Sequence, residues 1–448
     1  MPDRRCVPPR DEILDLMERI YRYRMTTTSG GNLSIRDEAG DVWITPARVD
    51  KGSLRREDVV RVRAGGATEG DRPPSSELPF HQAIYAARLD LAGIVHAHPV
   101  ALVAFSLCRR VPETRLFHQA WHVCGEVGFA PYALPGSESL GRNIAAAFAR
   151  GHDCVVLENH GVVVGGKTLQ EAFERFETLE FVAKTFIKAS LLGEPKSLTD
   201  EQIAAEGDAD RSVPVEPSRD YPADERERRR QLSEFVRRGY RQRLLTSTQG
   251  SFSARLEDDA FIVTPYRGDR LHVEPGDLVA VRGGVAEAGK MPSRATTLHR
   301  AIYRRHPHVK AIVNAFPVNA TAYSLTGNLP DICAIPESYV VLKGLLQVPF
   351  GLPFDDAEEL ARRIDADHPV ALIENDGVLV LGTSILEAFD RLEVLEATAE
   401  ALINSLPLGG AVPMSDAVVT ELEQAFGMRA YPDPREPTRP VESNPRSI

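Results

Sequence analysis

The sequence predicts two tandem α/β domains, each an α/β sandwich with a mixed or antiparallel central sheet flanked by helices. Three observations predict this. The chain has 448 residues, too many for one ordinary domain. Its blocks recur in register. Strand-like and helix-like runs mix without a regular βαβ rhythm, which points away from a doubly wound parallel sheet.

The repeat is explicit. "TSGGNLSIR" (28–36) returns as "STQGSFSAR" (247–255), and "VWITPARVDKGSLRREDVVRV" as "FIVTPYRGDRLHVEPGDLVAV". "PSSELPFHQAIYAA" returns as "PSRATTLHRAIYRR", and "VLENHGVVVGGKTLQEAFERFETLE" as "LIENDGVLVLGTSILEAFDRLEVLE". The offset drifts only slightly: it is 218 from His81 to His299 and 216 from Glu158 to Glu374. Four matched blocks in order are a duplication. The domains are expected at 10–215 and 223–428.

The elements follow in order. Ile13, Leu14, Met17, Ile20 and Tyr21 recur at helical spacing, so the domain opens on an amphipathic helix. "LSIR", "DVWITP" and "DVVRVRA" read as short strands. Pro73–Pro74 and Ser75–Ser76 are start signals for a helix over 77–88. "AGIVHAHP" is an apolar run ended by proline, hence a strand. "CVVLENHGVVVGG" reads as strand, turn and strand, and "TLQEAFERFETLEFVAKTFIKAS" as a long final helix. Residues 192–223, rich in Pro, Asp, Glu and Ser, read as a partly ordered connection. The Pro-rich tail, 429–448, reads as disordered.

Composition narrows the function classes. Hydrophobic content of 43% is enough for two cores, and the net charge of −11 argues against nucleic acid or an anionic membrane as partner. No run reaches the length of a membrane span, and the start lacks an apolar leader. Five scattered cysteines without a CxxC pair fit a reducing cytoplasm.

The chemistry lies in the first copy. His96 and His98 are two apart, so on a strand both leave the same face and can chelate one metal. His160 in "ENHG" sits at a turn beside Gly161. Three neutral imidazoles with an open fourth position describe a catalytic metal site. A lone HxH in a core strand is weak. The second copy strengthens it: Asn314, Phe316 and Asp376 replace all three histidines together, and Ala295 replaces Glu77. Independent core histidines need not be lost as a set; ligands of one ion would be. Glu77, at a helix start near that set, is the candidate general base, against the plainer reading of a glutamate favoured by the helix dipole. Asn32 in the Gly-rich "SGGNLS" turn, and Ser75 and Ser76 at the helix start, are candidate anion contacts, against simple turn and cap chemistry.

Together "SGGNLS", "TP", "PSSE", "HAHP" and "ENHG", in this order, resemble the class II aldolase/adducin family over nearly the whole chain, as two copies. The resemblance implies His96, His98 and His160 as ligands of a divalent ion, zinc first, with manganese, cobalt or iron as alternatives. It implies Glu77 as the aldolase acid/base, and Asn32, Ser75 and Ser76 as part of an anion pocket. The expected activity is a metal-dependent lyase on a small hydroxy-carbonyl or sugar-phosphate-like substrate, through a metal-stabilised enediolate. The other activities of the family stay open: Fe(II) oxygenase or decarboxylase, epimerase or dehydratase, and the non-catalytic assembly module. Two departures matter. "TPAR" stands where family aldolases read "TPSG" or "TPTG", so Arg48 becomes a different anion contact. Gln119 follows His118, where the resemblance implies a tyrosine supplied from the neighbouring subunit as proton donor. The resemblance also implies a homodimer or higher oligomer closing a pseudo-tetrameric ring, with Glu337 and Tyr339 of "PESYVV" as residues the second copy lends.

Overall fold

The structure is a computed structural model that describes residues 7–205, 215–216, 220–257 and 259–428. Eight strands form the first sheet: β1 (Asn32–Arg36), β2 (Val42–Ile44), β3 (Val60–Val62), β4 (Thr68–Glu69), β5 (Gly93–Ala97), β6 (Val127–Ala130), β7 (Cys154–Leu157) and β8 (Gly161–Gly166). Their order is β4-β3-β2-β1-β5-β8-β7-β6. Neighbours are antiparallel except β6 and β7. Helices cover both faces, which is why all five residues of β5 are buried. Val95 packs with Ile13, Leu16 and Phe173 on one face, whereas Ile94 packs with Phe80, Ile144 and Val155 on the other. His96, two residues beyond Ile94, therefore joins the Phe80 face.

The second sheet is the same sheet again. Its strands are β9 (Val215–Glu216), β10 (Ser251–Glu257), β11 (Ala260–Val263), β12 (Val279–Arg282), β13 (Val285–Glu287), β14 (Ala311–Ala315), β15 (Leu346–Val348), β16 (Val370–Ile373) and β17 (Val378–Gly382). Their order, β15-β16-β17-β14-β10-β11-β12-β13-β9, is the first order read from the other end, with β9 added. β9 comes from the connection and pairs in parallel with β13. The expected end of the first domain, residue 215, is the first residue of β9 in the second sheet. The connection also holds a short helix, Asp200–Ala205. Residues 206–214 and 217–219, and the tail expected to be disordered, lie outside the described residues. Among the described residues no helix is long and apolar enough to cross a membrane.

The two copies share a core. Leu116, Phe117, Phe181 and Val182 pack in one cluster with Phe252, Ala315 and Phe389. Polar contacts between the copies are buried as well. Arg19 holds Asp269 in a pair with side chains 3% and 6% exposed. Helix Leu169–Leu192 points Glu177 at the second copy, where Tyr240 (2.9 Å), Arg243 and the Ser247 amide donate to it. Glu174 accepts from Thr248 (2.8 Å) and Arg267 (2.9 Å).

Candidate metal centre

Strand pairing builds the site. β1 and β5 set Asn32 directly opposite His96. His98 follows one residue after β5 ends, and Pro99 then caps the next helix. His160 lies in the turn from β7 to β8, after Asn159 in the left-handed region (φ +55°). Helix Leu78–Ala87 starts one residue later than its sequence signals suggest, with Glu77 at the N-cap and Pro79 in the first turn. These four segments meet at one rim of the first sheet.

One ring nitrogen from each of His96, His98 and His160 lies within 4.8 Å of the others. The Nε2 atoms of His96 and His98 are 3.1 Å apart. His96 Nδ1 donates to the Val162 carbonyl at 2.9 Å, which fixes the tautomer and leaves Nε2 with its lone pair toward the cluster. Glu77 Oε2 is 3.2 Å from His96 Nε2, and Oε1 is 3.7 Å from His160 Nε2. The donor set fits a divalent ion: three imidazoles with a carboxylate at the edge.

Charge states agree with that fit. Burial pulls His98 down to about 3, with His96 and His160 adding to it. Burial also pulls His160 down to about 4. Both are neutral at pH 7, the form that ligates. Burial pulls on His96 too, but Glu77 outweighs it and the net shift is upward. For Glu77 burial favours the neutral acid. His96 and the Asn32 hydrogen bond outweigh it and hold the carboxyl well below the usual carboxylate range.

Glycines make the room. A Cβ on Gly30 would lie 2.8 Å from His98 Nδ1, and one on Gly161 would lie 2.6 Å from the Ala97 carbonyl and 2.7 Å from His98 Cδ2. In the second copy, Gln249 takes the Gly30 place and Phe316 the His98 place. Phe316 meets Phe181 of the first copy edge-on at 6.2 Å.

The other expected residues divide. Asn32 is at the site, but its amide serves protein groups: Nδ2 donates to Glu77 at 2.7 Å and Oδ1 faces His81 Nε2. Ser75 is buried and its hydroxyl accepts from the Glu77 amide at 3.2 Å, as a helix-start residue does. Ser76 and Arg48 are exposed, Arg48 with φ +55°. Gln119 does not face the first-copy site. It lines a cavity of the second copy, where its Oε1 accepts from Arg294 at 2.8 Å. Helix His118–Cys124 corresponds to Pro336–Leu342, which sets Glu337 at the Gln119 position and Tyr339 at the Trp121 position. Glu337 is exposed, whereas Tyr339 is buried with its hydroxyl on Glu423 at 2.8 Å. A lent tyrosine at 339 is thereby corrected: its oxygen is spent inside its own copy.

Two supporting residues escaped the sequence reading. His81 is fully buried between Ser34 (2.7 Å) and Asn32, and burial, then His96, pulls it down to about 3. It stays neutral and aims the Asn32 amide at Glu77. Lys51 is buried, donates to the Pro46 carbonyl at 2.8 Å, and is pulled down to about 8 by burial. Both have counterparts, His299 and Arg270, so retention in both copies was the available signal.

The model of the class II aldolase and adducin N-terminal domain matches residues 11–187 and again 230–403. The chain belongs to the class II aldolase and adducin family, as a tandem duplication. Among relatives, the 5-methylthioribulose-1-phosphate/5-deoxyribulose-1-phosphate aldolase of Rhodospirillum rubrum is 31% identical over 43% of this chain and 87% of its own length. The 5-deoxy-D-ribulose 1-phosphate aldolase of Bacillus thuringiensis serovar kurstaki is 33% identical over 43% of this chain and 91% of its own. A solved L-fuculose 1-phosphate aldolase is 32% identical, with a TM-score of 0.41, over 44% of this chain and 93% of that one.

Proposed function

We propose that the first copy is the catalytic half of a divalent-metal-dependent lyase. It would make or break a carbon–carbon bond in a small hydroxy-carbonyl or sugar-phosphate-like substrate. The convergence of His96, His98 and His160 within 4.8 Å, beside Glu77, carries the reading. An ion held by the three histidines, zinc first and manganese, cobalt or iron as alternatives, would polarise substrate oxygens. Glu77 is the proton carrier: it is ionised, partly buried, and aimed by Asn32, which His81 holds in turn. The phosphorylated ketoses named for the relatives define the substrate class to try first. The test is cleavage of 5-deoxyribulose 1-phosphate by metal-loaded protein, followed as dihydroxyacetone phosphate release. The expected result is turnover that Glu77→Gln removes. Absence of cleavage of that substrate and of L-fuculose 1-phosphate by fully metallated protein would overturn the lyase reading.

The second copy is proposed as the neighbour of that site in a ring of two chains. The unequal burial of twin residues supports this. Tyr240 and Ser247 are covered by the first copy, while their counterparts Tyr21 and Thr28 have no such cover. Glu177 is fully buried; its counterpart Glu393 is 31% exposed. A second chain docked head to tail would repeat the internal contact and bring its exposed Glu337 over the first-copy site. Light scattering should give two chains per particle, and Glu393→Arg should give one. A wild-type monomer at assay concentration would sink the ring. Cys108, Cys124 and Cys154 are free thiols, which supports a reducing cytoplasm.

A further inference from the structure

The second copy has lost its metal-ligand set without filling the space. A cavity remains there, lined by residues that include Thr248, Ser251, Ser293 and Asn314. It spans both copies, because Gln119 of the first lines one wall. Its lining charge differs from that of the metal centre. Three guanidinium groups, Arg267, Arg270 and Arg294, stand against one carboxylate, Asp376.

Two adjacent replacements produce much of the change. Arg294 stands where the first copy has Ser76, and Ala295 where it has Glu77. One gains a positive charge and the other removes a negative one. Both sit at the start of helix Thr296–Arg305, a helix of 10 residues with no acidic residue in its first turn. Its N-terminal amides add positive potential at the same point.

The guanidinium groups are braced rather than loose. Arg267 is held by Glu174 at 2.9 Å. Arg294 reaches Gln119 and lies 5.6 Å from the Phe354 ring centre. Arg270 is buried and donates to the carbonyls of Gly250 (2.8 Å), Pro265 (3.2 Å) and Gly268 (2.6 Å). Burial pulls it down to about 10, so it keeps its charge at neutral pH. Fixed cations in a walled cleft concentrate positive potential and favour a multiply charged anion. Tyr266 and Phe354 add aromatic wall for a carbon skeleton.

We propose that this cavity binds a small phosphate-bearing anion without turning it over. Asn314 and Phe316 stand where two ligands of the metal centre would be, so the chemistry of the first copy is absent. Binding here ties Gln119 of one copy to Arg294 of the other. The ligand would therefore stabilise the junction between copies.

The experiment is calorimetric titration of the full-length protein with inorganic phosphate and with glycerol 3-phosphate. It is run in a His96→Ala/His98→Ala background, which disables the metal centre and leaves this cavity intact. The expected result is one site per chain for at least one probe, weakened about tenfold or more by Arg294→Ala. Arg267→Ala serves as the second variant. Glycerol 3-phosphate binding at least tenfold tighter than phosphate would identify a phosphate ester as the ligand; equal affinity would identify free phosphate. Neither probe binding in that background, or binding that neither arginine variant weakens, overturns the proposal. The outcome is independent of lyase activity.

Discussion

The rim of β5 and the rim of β14 are the same place in two copies, and they have been put to different uses. Both keep a buried histidine on a serine that also meets a tyrosine: His81 on Ser34, which meets Tyr85, and His299 on Ser253, which meets Tyr303. In the first copy His81 reaches Asn32, which aims Glu77. In the second, His299 reaches Asn314 Oδ1 at 2.7 Å, the residue that replaced His96. The lesson is that retention in both copies marks framework, and loss from one marks chemistry. A histidine is informative here through what happened to its twin.

The largest effect should come from exchanging the ligand sets. His96→Ala/His98→Ala should empty the first copy of metal and cut activity by about a thousandfold or more, read by metal analysis and turnover. The reverse graft, Asn314→His/Phe316→His/Asp376→His, should gain an ion only if Gln249→Gly is added, since Gly30 is what admits His98. Equal metal uptake with and without Gln249→Gly would break the comparison.

Next in size, Glu77→Gln should lower kcat by roughly 10²–10⁴ while metal content stays the same. Metal lost along with activity would recast Glu77 as a ligand. Arg19→Ala should cost about 3–5 kcal/mol in denaturant unfolding, because it removes the guanidinium that buried Asp269 pairs with at the junction. The exposed pair made by Arg22 is the control; removing it should cost about 0–1 kcal/mol. Gly30→Ala should weaken metal binding by about 10–100-fold through His98, without a matching loss of stability. Gly65→Ala, with open space around its Cβ, should leave both unchanged.

A further effect is on acid stability, and both copies should share it. Burial holds His81 at about 3 and His299 at about 4. Their unfolded values sit near 6.5, so below that pH the unfolded chain binds more protons than the folded one. Stability should be flat above pH 7 and fall as pH drops from 6.5 toward 4, by up to about 1.4 kcal/mol per pH unit for each histidine. Replacing His299 by Asn should flatten that slope; a slope left unchanged would place the titration elsewhere.

Much of the site was legible. His96, His98, His160 and Glu77 announced themselves because their twins changed together, and the structure brings them together. Arg48 and Ser76 looked equivalent to Asn32 in a linear motif, yet both face outward while Asn32 is buried against Glu77. A motif fixes the order of residues, whereas exposure depends on which turn carries each one. Lys51 lay unnoticed inside "TPARVDKG" because a lysine between Asp50 and Gly52 reads as an exposed turn, and only packing showed it buried.

The sequence by itself determined the duplication, the two sandwich folds and the asymmetry of the two sites. Those follow from local periodicity and from comparing the chain with itself. Only the tertiary structure decided which copy faces which. Gln119, part of the first copy by sequence, lines the cavity of the second; Tyr339, an available hydroxyl by sequence, is spent on Glu423. The physical reason is that a contact between domains joins residues far apart in sequence, and no spacing rule within either domain encodes it.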